Sequence, residues 1–163
     1  MELLKASKKD ISTIQQIAEV SWAEAYKEIL SPDQISYMLE NLYSTEVLAD
    51  QMDGDHYQYF LIQTDGIKGF IGVEPHCEPQ TTKLHRLYLL PQEKGKGLGK
   101  GAIDFVKHFA ADVGDRRIIL NVNKRNPAQK FYRSQGFTLC KDEVVDIGSG
   151  YVMDDFVMEL TIS

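Results

Sequence analysis

The feature that most restricts how this chain can fold is a glycine-rich segment between a strand and a helix. The apolar pattern of Thr81–Leu90 predicts a strand, and Pro91, which cannot continue a sheet, ends it. Three closely spaced glycines follow, at positions 95, 97 and 99. Apolar residues then recur at helical spacing, namely Leu98, Ala102, Val106, Phe109 and Val113. A strand, a glycine turn and an amphipathic helix are therefore expected in succession.

The turn has the composition of an anion-binding loop. Glycines let the backbone approach a ligand without hindrance from Cβ, and the N–H groups of a first helical turn have no partner within the helix. Those N–H groups, together with the positive end of the helix dipole, bind phosphate oxygens. Lys94, Lys96 and Lys100 add positive charge to the same segment. We expect this loop to hold phosphate groups.

Three kinds of phosphate loop compete for this segment. A Walker A loop has four residues between its first glycine and the Gly-Lys pair, and a Ser or Thr after the lysine. Here only three residues separate Gly95 from Gly99, and Gly101 stands where the Ser or Thr is required. The dinucleotide pattern G-x-G-x-x-G/A is met weakly by Gly97, Gly99 and Ala102, because the loop lies in mid-chain and the next strand ends without an acidic residue. A coenzyme A pyrophosphate loop is the third possibility.

The distribution of charge favours a small anionic ligand. The chain carries a net charge of −6, yet the segment 94–133 alone carries +7 and the remainder −13. A nucleic-acid-binding protein is usually basic overall, so we expect no nucleic-acid partner. The basic segment instead predicts a local site for a small polyanion.

Composition predicts one globular domain over residues 1–163. The chain has 43% hydrophobic and 26% charged residues, and no apolar run approaches a membrane span. The N-terminal segment has no signal core, and the isolated Cys77 and Cys140 lack metal-ligand spacing. We therefore expect a cytoplasmic protein with reduced thiols, no membrane segment and no metal.

The order of predicted elements indicates an α+β fold. A short strand over Met1–Ala6 precedes an amphipathic helix over Lys8–Leu30, and Ser31 and Ser44 or Thr45 mark the starts of two more helices. Strands then follow on both sides of the Asp65-Gly66 turn, with a loop over Pro75–Gln80 before the next strand. Beyond the glycine segment we expect a helix, a strand, a helix and two final strands. This order predicts a mixed, mainly antiparallel sheet.

The strand end and the loop together resemble motif A of the GNAT superfamily of N-acetyltransferases. Leu87-Tyr88-Leu89-x-Pro91 precedes Lys94-x-x-Gly97-x-Gly99, which is similar to the family pattern Q/R-x-x-G-x-G/A except for its first residue, Lys94. Gln92–Gly97 also matches the pattern, but the distance from Pro91 favours the later register.

A second segment resembles motif B of the same family, N-x-x-A-x-x-F-Y-x-x-x-G-F. It spans Asn126–Phe137, with the Asn one residue closer to the Ala than usual, so Asn123 is an alternative for its role. The closing stretch Tyr151–Glu159 resembles bacterial members close to polyamine acetyltransferases. The resemblance implies the GNAT fold, a twisted sheet in which two central parallel strands splay apart, flanked by helices.

The resemblance also implies how acetyl-CoA is held, with no metal. The backbone of Leu87, Tyr88 and Leu89 is expected to bind the acetyl and pantetheine groups, and the loop amides to bind the pyrophosphate. Asn126 or Asn123 is expected on the opposite wall. The cofactor-binding prediction is therefore Leu87, Tyr88, Leu89, Lys94, Gly95, Lys96, Gly97, Leu98, Gly99, Lys100, Asn123, Asn126, Lys130 and Arg133.

The chemistry of transfer assigns further roles. An amine attacks the thioester carbon, and a strand N–H, best that of Leu89, stabilises the charge on the carbonyl oxygen. Tyr132 is the expected general acid for the departing thiolate. Glu74 and His85 are the candidates to take the amine's proton, and a chain of waters is the alternative. Trp22 and Tyr26 either line the acceptor pocket or belong to the core.

The acceptor is the least determined feature of the sequence. An acidic remainder of −13 favours a small cationic amine, with a polyamine first. Two alternatives stay open: a protein or peptide amine as acceptor, and a CoA-binding module without catalytic activity. The final strands also make a homodimer possible.

Overall fold

Strands and helices follow one another along the chain in the predicted order. The computed structural model describes residues 1–54 and 56–162, so Asp55 and Ser163, the last residue of the predicted 1–163 domain, lie outside the described residues. The strands are β1 (Glu2–Lys5), β2 (Gln58–Thr64), β3 (Gly66–Glu78), β4 (Thr81–Leu89), β5 (Arg117–Asn123), β6 (Thr138–Gly148) and β7 (Tyr151–Thr161). The helices are α1 (Ile11–Ala25), α2 (Pro32–Leu42), α3 (Thr45–Asp53), α4 (Leu98–Asp112) and α5 (Ala128–Ser134).

The strands form one sheet with a single parallel pair among the described residues. The order is β1-β2-β3-β4-β5-β7-β6, and all neighbours except β4 and β5 run antiparallel. β4 and β5 are parallel because α4 carries the chain back to the starting edge between them. They pair only where Thr81–Lys83 meets Arg117–Ile119. The predicted mixed sheet with splayed central strands is confirmed.

Serine caps fix the starts of α2 and α3, as predicted. Ser31 Oγ accepts a hydrogen bond from the Gln34 N–H at 3.1 Å, and Ser44 Oγ accepts one from the Val47 N–H at 3.1 Å. The prediction was wrong at the end of the first helix, because α1 ends at Ala25 and the chain turns before α2. Arg125 holds that turn by donating to the carbonyls of Glu28 and Ile29.

The two faces of the sheet carry separate apolar cores. α1, α2 and α3 cover one face, where Trp22, Tyr59 and Phe70 are buried. α4 and α5 cover the other face, where Ile103, Ile118 and Phe137 are buried. The gap between β4 and β5 therefore lies between two packed layers.

The loop expected over Pro75–Gln80 is shorter than predicted, because β3 runs to Glu78 and β4 begins at Thr81. β3 continues to Glu78, with an irregular register between Glu74 and Glu78 and a left-handed His76 at φ 55°. The carboxylate of Asp115, after α4, accepts a hydrogen bond from the His76 N–H at 3.0 Å. This contact comes from a distant part of the chain, so the local sequence did not reveal it.

Within the described ranges, none of the helices combines the length and the apolar character needed to cross a membrane.

Candidate active site

A cleft opens where β4 and β5 stop pairing. Beyond Lys83 and Ile119 the ladder between these strands ends, and a cavity of about 570 Å³ occupies the gap. The strands contribute Leu84, Leu87, Leu120 and Val122 to its walls, while α1, α5 and the glycine loop close its sides. The volume lies in the range of small-molecule sites.

The glycine loop forms one end of this cleft. Gly97 adopts a left-handed conformation at φ 82° and is the N-cap of α4, so the first N–H groups of that helix point out of the loop. A Cβ added at Gly97 would meet no atom within 4 Å, which leaves open space beside the backbone. At Gly99 a Cβ would lie 3.0 Å from the Phe131 ring, so glycine lets α4 and α5 approach each other. The loop fits a pyrophosphate group.

The lysines of the loop have different partners. Lys94 and Lys100 line the cleft, although Lys100 also pairs with Asp104 at 3.1 Å. Lys96 instead pairs with Glu93 at 2.8 Å and does not line the cleft. The hydrogen bond from Lys96 lowers the pKa of the Glu93 carboxyl. Lys94 therefore offers the cleft a positive charge that no described carboxylate pairs with.

The edge of β4 offers hydrogen-bonding groups to the cleft. The Leu90 N–H donates to the Lys68 carbonyl on the β3 side at 2.9 Å. Successive residues of a strand direct their N–H groups to opposite sides, so those of Leu87 and Leu89 point towards β5 and into the gap. The Leu89 carbonyl accepts a hydrogen bond from Ser21 Oγ at 3.0 Å, which ties α1 to this edge.

Tyr132 lies on the wall of the cleft formed by α5. Its ring packs between Phe131 and Phe137, with centroid distances of 5.3 Å and 5.9 Å. Burial raises the pKa of the Tyr132 phenol above its usual value, and Tyr26 adds to the rise. The phenol therefore keeps its proton at neutral pH and can act as a donor.

The two candidate asparagines occupy different positions. Asn126 lines the cleft, and its Oδ1 accepts a hydrogen bond from the Ala128 N–H at 2.9 Å. This hydrogen bond fixes the turn that leads into α5, and it keeps the Asn126 side chain at the wall of the cleft. Asn123 is buried, and its Oδ1 accepts a hydrogen bond from the Arg125 N–H at 2.9 Å. The geometry favours Asn126 over Asn123.

Polar side chains surround the other end of the cleft. Tyr26 and Tyr88 lie there with their hydroxyl oxygens 3.4 Å apart. His85 lines the same end and contacts Glu74, with 2.8 Å between Nε2 and Oε1. Trp22 is buried and belongs to the core, with its ring tilted against that of Tyr26 at a centroid distance of 4.5 Å.

The structure brings together most of the predicted site residues. Those that line the cleft are Tyr26, His85, Leu87, Tyr88, Leu89, Lys94, Gly95, Gly97, Gly99, Lys100, Asn126 and Tyr132. Those that do not are Trp22, Glu74, Lys96, Leu98, Asn123, Lys130 and Arg133. Leu98 turns its side chain into the core at the first turn of α4, and Lys130 and Arg133 are exposed on α5.

Sequence reasoning missed two polar residues of the cleft. Ser21 lies on the apolar face of α1, and its position in the apolar stripe was the available signal. Asn121 alternates with the buried apolar residues of β5, and its amide donates to Glu143 at 2.9 Å and to Asp155 at 3.2 Å. A single polar residue in an otherwise buried strand was the available signal for Asn121.

The comparison with family models gives a match to the acetyltransferase (GNAT) domain over residues 26–156. The chain belongs to the GNAT acetyltransferase family. Such proteins use acetyl-CoA, and the cleft of this GNAT protein has the loop and the strand edge that such a ligand needs. The protein is therefore an acetyl-CoA-dependent N-acetyltransferase of the GNAT type.

Individual relatives cover between 74% and 98% of this GNAT chain. A spermidine N(1)-acetyltransferase of Thermoplasma acidophilum is 27% identical over 158 residues, covering 94% of this chain and 96% of the relative. The crystal structure of the PaiA N-acetyltransferase of the same organism, in complex with coenzyme A, superposes with a TM-score of 0.83 at 25% identity and covers 98% of both chains. A 5-NmdU N-acetyltransferase of Pseudomonas phage PaMx11 is 28% identical over 123 residues, covering 74% of this chain and 86% of the relative.

Proposed function

We propose that this enzyme transfers the acetyl group from acetyl-CoA directly to the primary amine of a small cationic acceptor, such as a polyamine, with both substrates bound together. The observation that carries the proposal is the continuous cleft between β4 and β5. Its glycine loop suits the pyrophosphate at one end, and its polar end suits an amine at the other. Direct attack needs both reactants in one cavity, and this cleft provides it.

The charges near the polar end support a cationic acceptor. Asn121 lines the cleft and holds the carboxylates of Glu143 and Asp155 beside it through its amide group. An ammonium group is attracted to such a negative region. The similarity to a spermidine acetyltransferase supports the same acceptor class.

In the proposed reaction, Tyr132 donates a proton to the sulfur of coenzyme A. As the amine nitrogen bonds to the thioester carbon, the N–H groups of Leu87 and Leu89 stabilise the carbonyl oxygen. The electron pair of the broken C–S bond moves to sulfur, where the Tyr132 phenol protonates it. The pKa of Tyr132, raised by burial, keeps the donor protonated until that step.

An acceptor panel tests the substrate class. Release of the coenzyme A thiol is measured with di- and polyamines, amino sugars and peptides that have free N-termini. We expect the highest kcat/KM with a polyamine. Activity on peptide N-termini alone would contradict the acceptor class. Binding of acetyl-CoA without turnover of any amine would instead support a non-catalytic CoA-binding module.

Replacing Tyr132 tests the proposed acid. In Tyr132→Phe the ring packing is kept and only the proton donor is lost, so kcat should fall about 10²-fold. Acetyl-CoA binding, followed by calorimetry, should stay close to that of the wild type. A variant that turns over at the wild-type rate would rule out this role.

Pairing of two copies through the last strands stays a prediction, and sedimentation velocity tests it.

A further inference from the structure

A contact between His85 and Glu74, with 2.8 Å between Nε2 and Oε1, lies at the proposed acceptor end of the cleft. Both residues come from neighbouring strands, β4 and β3, and the register of these strands shifts between Gly72 and Val73, opposite His85. A strand irregularity at this place turns a side chain out of the regular alternation. It turns His85 towards both the cleft and Glu74.

The hydrogen bond between the pair fixes which ring nitrogen is free. An ionised carboxylate can only accept a hydrogen bond, so His85 Nε2 carries the proton that it donates to Glu74 Oε1 over 2.8 Å. The other nitrogen, Nδ1, then has an unprotonated lone pair. It has no hydrogen-bond partner among the described residues. A neutral imidazole with one nitrogen held by a carboxylate is the arrangement of a general base.

An aromatic ring holds the imidazole from its face. Tyr57 stacks on His85 with a centroid distance of 4.7 Å and an interplanar angle of 30°. The Tyr57 ring fits there because residue 72 is glycine, as a Cβ at Gly72 would lie 2.9 Å from Tyr57 Cε1. The hydrogen bond to Glu74 therefore holds the imidazole at its edge, and the Tyr57 ring packs against its face.

Burial keeps the imidazole of His85 neutral before the reaction. Burial lowers the pKa of His85 to about 4, and the cations of Lys83 and Arg86 on the same strand act in the same direction. The hydrogen bond to Glu74 acts in the opposite direction. The imidazole is thus in its basic form at neutral pH, and Glu74 stabilises the imidazolium once a proton arrives.

We propose that His85, through Nδ1, takes the proton of the attacking amine, and that Glu74 and Tyr57 are the positioning residues for this step. The inference rests on the proposed function, since it concerns the same transfer. As the N–C bond forms, the nitrogen of the neutral amine loses one proton to Nδ1. The C–S bond breaks, its electron pair goes to sulfur, and Tyr132 supplies the proton there. Solvent then restores both residues, giving the acetylated amine and coenzyme A.

Substitution of His85 with rescue by imidazole tests the proposal. His85→Ala should lower kcat by about 10²–10⁴-fold while acetyl-CoA binding by calorimetry is unchanged. Added imidazole should restore part of the rate, because the small base can enter the space left by the side chain. A kcat within about threefold of the wild type would overturn the inference, as would a loss that imidazole does not restore in a variant that binds acetyl-CoA normally.

The positioning residues need a readout that a purely structural role would not change. Glu74→Gln should lower kcat at least tenfold without changing KM for acetyl-CoA, because the amide cannot stabilise the imidazolium. Tyr57→Ala should also lower kcat, and Tyr57→Phe should keep most of the rate, since stacking needs only the ring. Equal rates in all three variants and the wild type would overturn their assigned roles.

The two proposals fail in different ways. If the wild type acetylates none of the amines tested, the proposed function is wrong regardless of His85. If the wild type is active and His85→Ala is equally active, the proposed function stands and only the base assignment is wrong. His76→Ala, which removes a histidine outside the cleft, is the matched control.

Discussion

Two histidine–carboxylate pairs in this protein have similar geometry and opposite surroundings. In one, His85 Nε2 lies 2.8 Å from Glu74, and both side chains are partly buried, at 21% and 32% exposure. In the other, His76 Nδ1 lies 2.7 Å from Asp115, but the histidine is 61% exposed and the aspartate is fully buried. The first pair borders the cleft, and the second joins the end of β3 to the segment after α4.

The difference predicts that the two pairs have different roles, set by which partner is less exposed. In the first pair the histidine is the less exposed partner and lines the cleft, so a group that can exchange a proton borders the proposed substrate site. At the far end the carboxylate is buried and accepts three hydrogen bonds, from Thr82 Oγ1 and from the backbone and ring of His76. Asp115 is thus committed to holding three segments together. We expect the first pair to affect turnover and the second to affect stability.

Removing the buried carboxylate should have the largest effect on stability. Asp115→Ala leaves Thr82 and the His76 N–H without their partner in a buried position, which should cost about 4 kcal/mol of unfolding free energy. Urea denaturation measures the loss. Where the variant is still folded, kcat should be close to that of the wild type. A loss below about 1 kcal/mol would show that the second pair is not a structural anchor.

Acid should weaken the two pairs in different pH ranges. The folded pKa of His85, about 4, lies below its usual 6.5, so the unfolded chain binds the extra proton first. The contribution of His85 to the free energy of unfolding is therefore fully present above pH 6.5. It is lost as the pH falls towards 4, by on the order of 2–3 kcal/mol. Comparing urea midpoints of the wild type and His85→Gln at pH 7 and pH 4.5 checks this. The difference between the two proteins should change with pH, and a constant difference would contradict the lowered pKa.

Asp115 should contribute at lower pH. Burial alone would raise the pKa of this carboxyl, but hydrogen bonds from Thr82 and His76 outweigh burial and lower it. Its contribution is therefore present above the ordinary aspartate range and is lost only as the pH falls below that range.

The exposed histidine should have the smallest effect. His76→Ala removes one ring hydrogen bond, while the backbone N–H still donates to Asp115. We expect a loss of about 1 kcal/mol or less and an unchanged kcat. A tenfold fall in kcat in this variant, measured beside His85→Ala, would erase the functional difference between the pairs.

Local sequence patterns predicted the elements well. Ser31 and Ser44 begin helices because their side chains cap N–H groups only three residues away. The glycine loop was recognised because each of its structural requirements is met by one glycine. Gly97 adopts the left-handed N-cap conformation, and Gly99 allows the close approach of Phe131. The end of α1 and the extent of β3 were misjudged, because Arg125 and Asp115 act there from distant parts of the chain.

The cleft was predicted less completely than the loop. Tyr132 and the edge of β4 were placed by motif, whereas Ser21 and Asn121 became part of the cleft only through the packing of α1 and the pairing of β5 with β7. Sequence alone left Glu74 and His85 as separate candidates. Their contact depends on the register of β3 against β4, which no local pattern specifies.

The amino-acid sequence by itself determined the order of elements, the glycine loop and the family, because these depend on residues close together in the chain. The tertiary structure alone decided that β7 lies between β5 and β6 and that β4 and β5 separate after three residue pairs. It also decided that His85 is partly buried beside the cleft while His76 is exposed. These features depend on hydrogen bonds and packing between segments that are far apart in the chain. No local pattern specifies them, because the exposure and partners of a side chain are fixed only when those segments meet.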